Sequence, residues 1–116
     1  ESSLRGYTKR GELLCMGGRW EDGIAAFDKV LQMDANNKSG LMLRATCLYS
    51  HAKDNLSRHE SKHQSEEELK AALVNLTTLL GLEPEHVGAS LKRRKVHLLL
   101  GTEPPQPDPF FVNMCK

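Results

Sequence analysis

The sequence contains one pattern that is associated with metal chemistry, His-Glu-Ser-Lys-His at residues 59–63. On a single helix, His59 and His63 would share a face and bind Zn²⁺ through their imidazoles, with Glu60 as general base. Helices that carry such sites are largely apolar and buried, because neighbouring groups must orient the imidazoles. Since Lys62 and polar neighbours surround this pattern, we expect an exposed segment with no metal, no cofactor and no catalytic residue. A metal-dependent hydrolase stays the first alternative.

A second pattern is the basic run Lys-Arg-Arg-Lys at residues 92–95, whose side chains could contact nucleic-acid phosphates. Successive residues of a helix point about 100° apart, so the four charges would spread around the helix instead of forming one stripe. The chain has 16 Lys and Arg against 15 Asp and Glu, a net charge of +1, and 5% aromatic residues. Neither a strong positive field nor a set of stacking rings is present. A nucleic-acid-binding module is therefore only the second alternative.

The three cysteines, Cys15, Cys47 and Cys115, are odd in number and widely spaced, with no Cys-x-x-Cys pair. Together with the lack of a secretory leader pattern, they predict reduced thiols in a cytoplasmic or nuclear protein, with Cys15 and Cys47 packed as small apolar residues. No apolar stretch approaches the roughly 20 residues that a membrane-spanning helix needs. We therefore expect no membrane partner.

Apolar residues recur at helical spacing in five segments. The first runs from Leu4 to the break at Gly17-Gly18, and the second continues to about residue 33. The third follows Asn37, whose side chain can cap a helix N-terminus. Polar residues predominate between about 53 and 64, which predicts a solvent-exposed loop or a frayed helical extension.

The last two segments have recognisable start and stop signals. Ser65 and Glu68 have the spacing of a capping box, which predicts that the fourth helix begins there. Pro84 ends that helix, and a fifth helix runs from about 87 to 100 before Gly101 stops it. The prolines beyond it favour an extended tail. The pattern predicts an all-α fold in a single domain.

The first two segments resemble a tetratricopeptide repeat (TPR), a pair of antiparallel helices about 34 residues long. The matching residues are Tyr7, Gly11, Leu14, Gly18, Trp20, Gly23, Phe27 and Val30, with Asp34 opening the turn to the next repeat. Gly23 stands where alanine is usual, and Ala35 stands where proline is usual. The resemblance implies antiparallel helix–turn–helix repeats, stacked as a short α-solenoid of about two and a half repeats.

In this register, repeat one covers 4–37, repeat two covers 38–86 and a terminal helix covers 87–100, within a domain over 1–101 that precedes a proline-rich tail over 102–116. Pro84 takes the place that Ala35 holds 49 residues earlier, 15 more than the usual repeat length of about 34. We place the excess in the polar insertion, about 53–64, as an extended connection between the two helices of repeat two. The incomplete third repeat and the start at Glu1 predict an excerpt of a longer protein.

In TPR proteins the first helix of each repeat lines a concave groove that binds an extended peptide or a helix of another protein. The resemblance therefore implies a non-catalytic scaffold or adaptor with a protein partner. The implied groove positions are Arg5, Thr8, Glu12, Cys15, Met42, Thr46, Tyr49, Leu91, Lys92 and Lys95. With Met42 and Tyr49 central and two lysines at one end, such a groove favours a partner segment with an apolar anchor and some acidic character.

One subset of TPR proteins binds the acidic C-terminus of heat-shock chaperones through a clamp of lysines, arginines and asparagines. Thr8 stands where that clamp has lysine, Glu12 and Leu43 stand where it has asparagine, and only Lys92 matches a basic position. Because Glu12 would repel a carboxylate, we expect no chaperone clamp. Self-association through the unfinished third repeat stays open.

Overall fold

The computed structural model describes residues 3–102, and within them it shows five helices and no strand. The helices are α1 (Leu4–Met16), α2 (Trp20–Met33), α3 (Lys38–Ser57), α4 (Lys62–Leu82) and α5 (Val87–Leu100). The all-α prediction is therefore confirmed for this part of the chain. None of the five helices is both long and apolar enough to cross a membrane. Apart from Thr102, the predicted proline-rich tail lies outside the described residues.

Most helix ends lie where local signals predict them. Asn37 caps α3, since its Oδ1 accepts a hydrogen bond from the Gly40 N–H at 2.7 Å. The Ser3 hydroxyl caps α1 in the same way, through the Gly6 N–H at 3.0 Å. Gly18 and Gly101 follow α1 and α5 with φ angles of 82° and 73°, a left-handed conformation that glycine adopts without steric cost.

The start of α4 differs from the prediction. The helix begins at Lys62, and Ser65 is fully buried inside it, with its N–H bonded to the carbonyl of Ser61 at 2.8 Å. The capping box assigned to Ser65 and Glu68 is therefore wrong. The serine-to-glutamate spacing occurs here within a helix, where both side chains point toward neighbouring elements instead of toward free N–H groups.

The polar insertion is largely helical. Residues 53–57 complete α3 and residues 62–64 open α4, so only 58–61 connect the two helices. Helices α3 and α4 have 20 and 21 residues, against 13 and 14 in α1 and α2. Each is thus seven residues longer, about two turns, and the connection is one residue longer. The 15 extra residues therefore lengthen a helical hairpin, as the frayed-extension interpretation predicts, and do not form an extended loop.

The helices pack in a simple order. Helix α3 contacts the other four, while α1 and α5 do not contact each other, and neither do α2 and α4. Helices α1, α3 and α5 therefore lie side by side, with α2 packed across α1 and α3, and α4 packed across α3 and α5. The main core lies between α3 and α4 and extends to α5. Its fully buried side chains are Ala45, Ala52, Leu69, Ala72, Leu76, Leu79, Ala89 and Val96.

Helices α1 and α2 approach each other at two glycines. A Cβ atom added at Gly11 would lie 2.6 Å from Cε1 of Phe27, a distance that real Cβ contacts do not show. A Cβ atom at Gly23 would collide with Sγ of Cys15 and lie 3.1 Å from the Gly11 carbonyl oxygen. The glycine at position 23, where the resemblance leads us to expect alanine, is thus required by the side chain of Cys15.

Cys15 in α1 and Cys47 in α3 form a disulfide, with their Cα atoms 6.1 Å apart. The prediction of reduced thiols is wrong for this pair, because two cysteines 32 residues apart become neighbours only when α1 and α3 pack together. Disulfides form and persist mainly in oxidising compartments. The thiol argument for a cytoplasmic or nuclear location therefore no longer applies, and that location remains a prediction.

Candidate functional site

The His-Glu-Ser-Lys-His pattern does not lie on one helix. His59 and Glu60 belong to the connection between α3 and α4, and His59 has a φ angle of 58°. His63 lies in the first turn of α4, after Ser61, whose φ angle of 49° turns the chain. The shared helical face that the metal motif needs is therefore not formed. Within residues 3–102, no group of three or more His, Cys, Asp or Glu side chains could hold a metal ion.

A mostly apolar groove of about 390 Å³ lies between α1 and α3. Helix α1 contributes three side chains to it and α3 contributes four, while α2 supplies two aromatic rings at its base. The lining residues are Glu12, Cys15, Met16, Trp20, Phe27, Leu43, Thr46, Cys47 and Ser50. We call this feature the α1–α3 groove.

The spacing along α3 explains how this wall of the groove forms. Leu43, Thr46, Cys47 and Ser50 follow one another at steps of three, one and three residues, so they share one face of the helix. The hydroxyl of Thr46 donates a hydrogen bond to the Met42 carbonyl oxygen at 2.9 Å, which leaves its methyl group as apolar surface. The disulfide joins the two walls, and it therefore fixes the distance between α1 and α3 at this level of the groove.

A second feature is a group of lysines around Tyr49, on the side of α3 that faces α5. The Nζ atom of Lys92 lies 4.7 Å from the centre of the Tyr49 ring, and that of Lys53 lies 5.9 Å from it. Burial lowers the pKa of Lys92 below its ordinary value, and the like charges of Lys95 and Lys53 lower it further. We call Tyr49, Lys53, Lys92 and Lys95 the Tyr49 lysine cluster.

The structure distributes the predicted groove residues between these two features. Glu12, Cys15 and Thr46 line the α1–α3 groove, and Tyr49 and the two predicted lysines belong to the lysine cluster. The remaining four predicted positions do not line the α1–α3 groove. They are Arg5, which is exposed, Thr8, whose hydroxyl bonds the Leu4 carbonyl at 2.7 Å, Met42, which packs against the core, and Leu91, which is exposed.

The sequence does not indicate Met16, Cys47 and Ser50 as groove residues, nor Lys53 as a member of the lysine cluster. Lys53 lies four residues after Tyr49, one helical turn, so helical periodicity was a signal for it. Residue 53 begins the polar insertion, however, and the apolar pattern of α3 ends before it. Met16 had no comparable signal, because it follows the last predicted apolar position of α1.

His51 of α3 and Glu68 of α4 form a buried polar pair. Nδ1 of His51 is 2.8 Å from Oε2 of Glu68, and each side chain is only 12% exposed. The His51 ring also stacks on Trp20, with 5.9 Å between ring centres and 16° between planes. The pair thus connects α2, α3 and α4. The hydroxyl of Ser65, one turn before Glu68, is fully buried and has no hydrogen-bond partner among the described residues, so no exposed nucleophile accompanies the pair.

Comparison with known proteins does not identify the chain. No family model matches it, and no curated protein or solved structure shows significant similarity to it. Its function is therefore inferred from the two surface features described above.

Proposed function

We propose that the chain is a non-catalytic protein-interaction module of the TPR type, whose α1–α3 groove binds an extended peptide or a helix of a partner protein. The observation that carries the proposal is the apolar groove between two neighbouring helices that each begin a helical hairpin. The side-by-side order of α1, α3 and α5, each linked to the next by a crossing helix, is also what stacked helical hairpins produce.

The exposed side chains at the rim of the groove support this proposal. Met16 is 83% exposed and Leu13, one turn earlier on α1, is 58% exposed. Exposed apolar side chains beside a groove mark interaction sites, and methionine adapts its shape to different partners. Glu12 adds a carboxylate within the lining that can accept a hydrogen bond from a partner backbone. Such a groove suits an apolar anchor residue with polar contacts at its edge.

A peptide-display selection against the purified chain, followed by calorimetry with a synthesised selected peptide, tests the proposal. We expect Met16→Glu and Thr46→Arg to weaken binding by about tenfold or more, because each puts a charge where the anchor residue packs. Met33→Glu is the matched control, since Met33 is an exposed methionine on α2 that does not line the groove. Equal affinity of the wild type and both groove variants would show that the groove is not the binding site.

Self-association stays an alternative for the last helix. Leu91 and Leu98 of α5 are 46% and 80% exposed, so this helix carries apolar surface that no described residue covers. Sedimentation velocity of the wild type and of Leu98→Glu distinguishes a monomer from a chain that associates through α5. A concentration-dependent dimer that Leu98→Glu abolishes would favour self-association through α5.

A further inference from the structure

Two lysine side chains, one from α3 and one from α5, lie against one tyrosine ring at the α3–α5 junction, and the charge of a third, Lys95, acts on one of them. Lys53 lies one turn after Tyr49, in the two turns by which α3 exceeds α1. Helix α5 brings Lys92 to the same ring, and Lys95 lies one turn after Lys92. Lys53 is therefore available to the cluster only because α3 is longer than α1, whereas Tyr49, Lys92 and Lys95 do not depend on the extra turns.

The charges of this cluster are not neutralised by the rest of the described chain. Within residues 3–102, no ion pair links Lys53, Lys92 or Lys95 to a carboxylate, whereas Lys38 and Lys70 pair with glutamates at 2.9 and 3.5 Å. The lowered pKa of Lys92 has burial and two neighbouring ammonium groups among its causes. Like charges close to a half-buried lysine raise the free energy of the unbound chain, and the attraction of a bound anion would lower it.

The tyrosine ring holds these ammonium groups in place. At 4.7 Å from the ring centre, Nζ of Lys92 is within the range of a cation–π interaction, and Lys53 at 5.9 Å is near its limit. Contacts of this kind restrict flexible side chains before a ligand arrives, so less conformational entropy is lost on binding. Of the basic run at 92–95, Lys92 is therefore held against a residue of another helix.

The distance to the α1–α3 groove fits one continuous ligand. Thr46, which lines the groove, and Tyr49 lie three residues apart on α3, about 4.5 Å along the helix axis. An extended peptide covers that distance with one or two residues. A partner segment can therefore place an apolar side chain in the groove and an acidic group at the lysines at the same time.

We propose that Tyr49, Lys53, Lys92 and Lys95 form a binding site for an anionic side chain, a carboxylate or a phosphate, of the partner peptide. The assignment deepens the proposed function and rests on it for the identity of the ligand as a peptide. The binding of the anionic group itself depends only on the four residues of the cluster.

The test is an NMR titration of the full chain with three probes that lack apolar residues: a tetraglutamate peptide, a Gly-phosphoserine-Gly peptide and a thymidine oligonucleotide. We expect one of the two peptides to shift the ring signals of Tyr49, with an affinity that falls as salt rises. Lys53→Gln and Lys95→Gln should each weaken binding by about fivefold, the worth of one charge at contact distance in water. Lys29→Gln, an exposed lysine on α2, is the control.

Each outcome decides the proposal. Stronger binding of tetraglutamate assigns a carboxylate ligand, and stronger binding of the phosphopeptide assigns a phosphate. Preference for the oligonucleotide, or equal losses in Lys29→Gln and Lys95→Gln, would overturn the peptide site. Lys92→Gln gives a further readout, because it should weaken binding without lowering the melting temperature, whereas a purely structural lysine would lower it. Because the probes lack an apolar residue, Met16→Glu should leave them bound, and their binding to the cluster would remain even if the groove proposal were wrong.

Discussion

Cys15 and Cys47 join the first and third helices by a disulfide that encloses the whole of α2. Helix α1 is otherwise held mainly by α2, and its only fully buried residue is Gly11. The disulfide therefore does two things at once, because it restrains α1 and forms part of the α1–α3 groove. The disulfide adds a covalent restraint to a helix of which few apolar side chains reach the core.

Removing this disulfide should destabilise the chain. A sequence separation of 32 residues corresponds to a loss of roughly 3–4 kcal/mol in the free energy of unfolding. Urea denaturation of the wild type with and without a dithiol reductant, and of Cys15→Ser, measures it. In the unreduced, denatured wild type no more than one of the three thiols should titrate. Titration of all three would contradict the disulfide.

Alanine at Gly11 and at Gly81 should have opposite effects. Gly11→Ala forces a Cβ atom into Phe27, at a cost of about 1–3 kcal/mol. Gly81 lies in α4, and apart from the adjacent residues and backbone of its own helix no atom lies within 4 Å of its Cβ position, so Gly81→Ala should stabilise by about 0.4–1 kcal/mol through chain entropy. Chemical denaturation of both variants provides the comparison. Adding Phe27→Leu should restore part of the stability that Gly11→Ala loses. If Gly11→Ala and Gly81→Ala both destabilised the chain, packing against Phe27 would not be the cause.

Arg44 should contribute to stability through a buried amide. Its Nε donates a hydrogen bond to Oδ1 of Asp28 and its Nη1 donates one to Oδ1 of Asn75, both at 2.7 Å. Because Asn75 is only 7% exposed, Arg44→Met leaves a buried carbonyl without a partner and should cost about 1–3 kcal/mol. Adding Asn75→Leu should recover part of that loss. Lys70→Met, which removes an exposed ion pair, is the control and should change stability by less than about 1 kcal/mol.

The ion pair between Lys38 and Glu83 should make stability depend on pH in acid. Nζ of Lys38 lies 2.9 Å from Oε2 of Glu83, and this hydrogen bond is the main reason that the pKa of Glu83 lies below its ordinary value. The carboxylate form therefore favours the folded state above the ordinary pKa of about 4.3, and this contribution disappears as the pH falls through the lowered value. Glu83→Gln should melt slightly lower than the wild type at about pH 7 and equally at about pH 2.

The pH prediction has a clear control. Both side chains are about half exposed, 54% and 43%, so the difference between wild type and Glu83→Gln should shrink as salt is added. Lys38→Met should show the same loss at neutral pH, and the double variant should lose no more than either single one. A difference that persists in strong acid would mean that the glutamate acts through packing and not through its charge.

Several features of the fold are readable from short stretches of sequence. Asn37 followed by an apolar run predicts the start of α3, and Gly101 predicts the end of α5, since caps and glycine conformations depend on residues within one turn. Ser65 shows the limit of such signals. The same serine-to-glutamate spacing fits a helix start and a helix interior, and only the packing of Ser65 against neighbouring helices distinguishes them.

The candidate site was predicted only in part. The resemblance to TPR repeats named Glu12, Thr46, Tyr49 and two lysines, which the structure places in two adjoining features. Lys53 was missed because its stretch of sequence is polar, although exposed helical turns are often as polar as loops. The length of the second hairpin, and not its composition, brings that lysine to the ring of Tyr49.

The sequence by itself determined the all-α class, five helices and most of their ends, because helix periodicity and capping are encoded within a few residues of each position. The tertiary structure decided the disulfide, the need for glycine at position 23 and the meeting of Tyr49 with Lys92. Each of these joins residues of different helices, and the sequence separations are 32 for Cys15 and Cys47 and 43 for Tyr49 and Lys92. Their contact depends on how α1 packs against α2 and α3, and how α3 packs against α5, which no local pattern specifies.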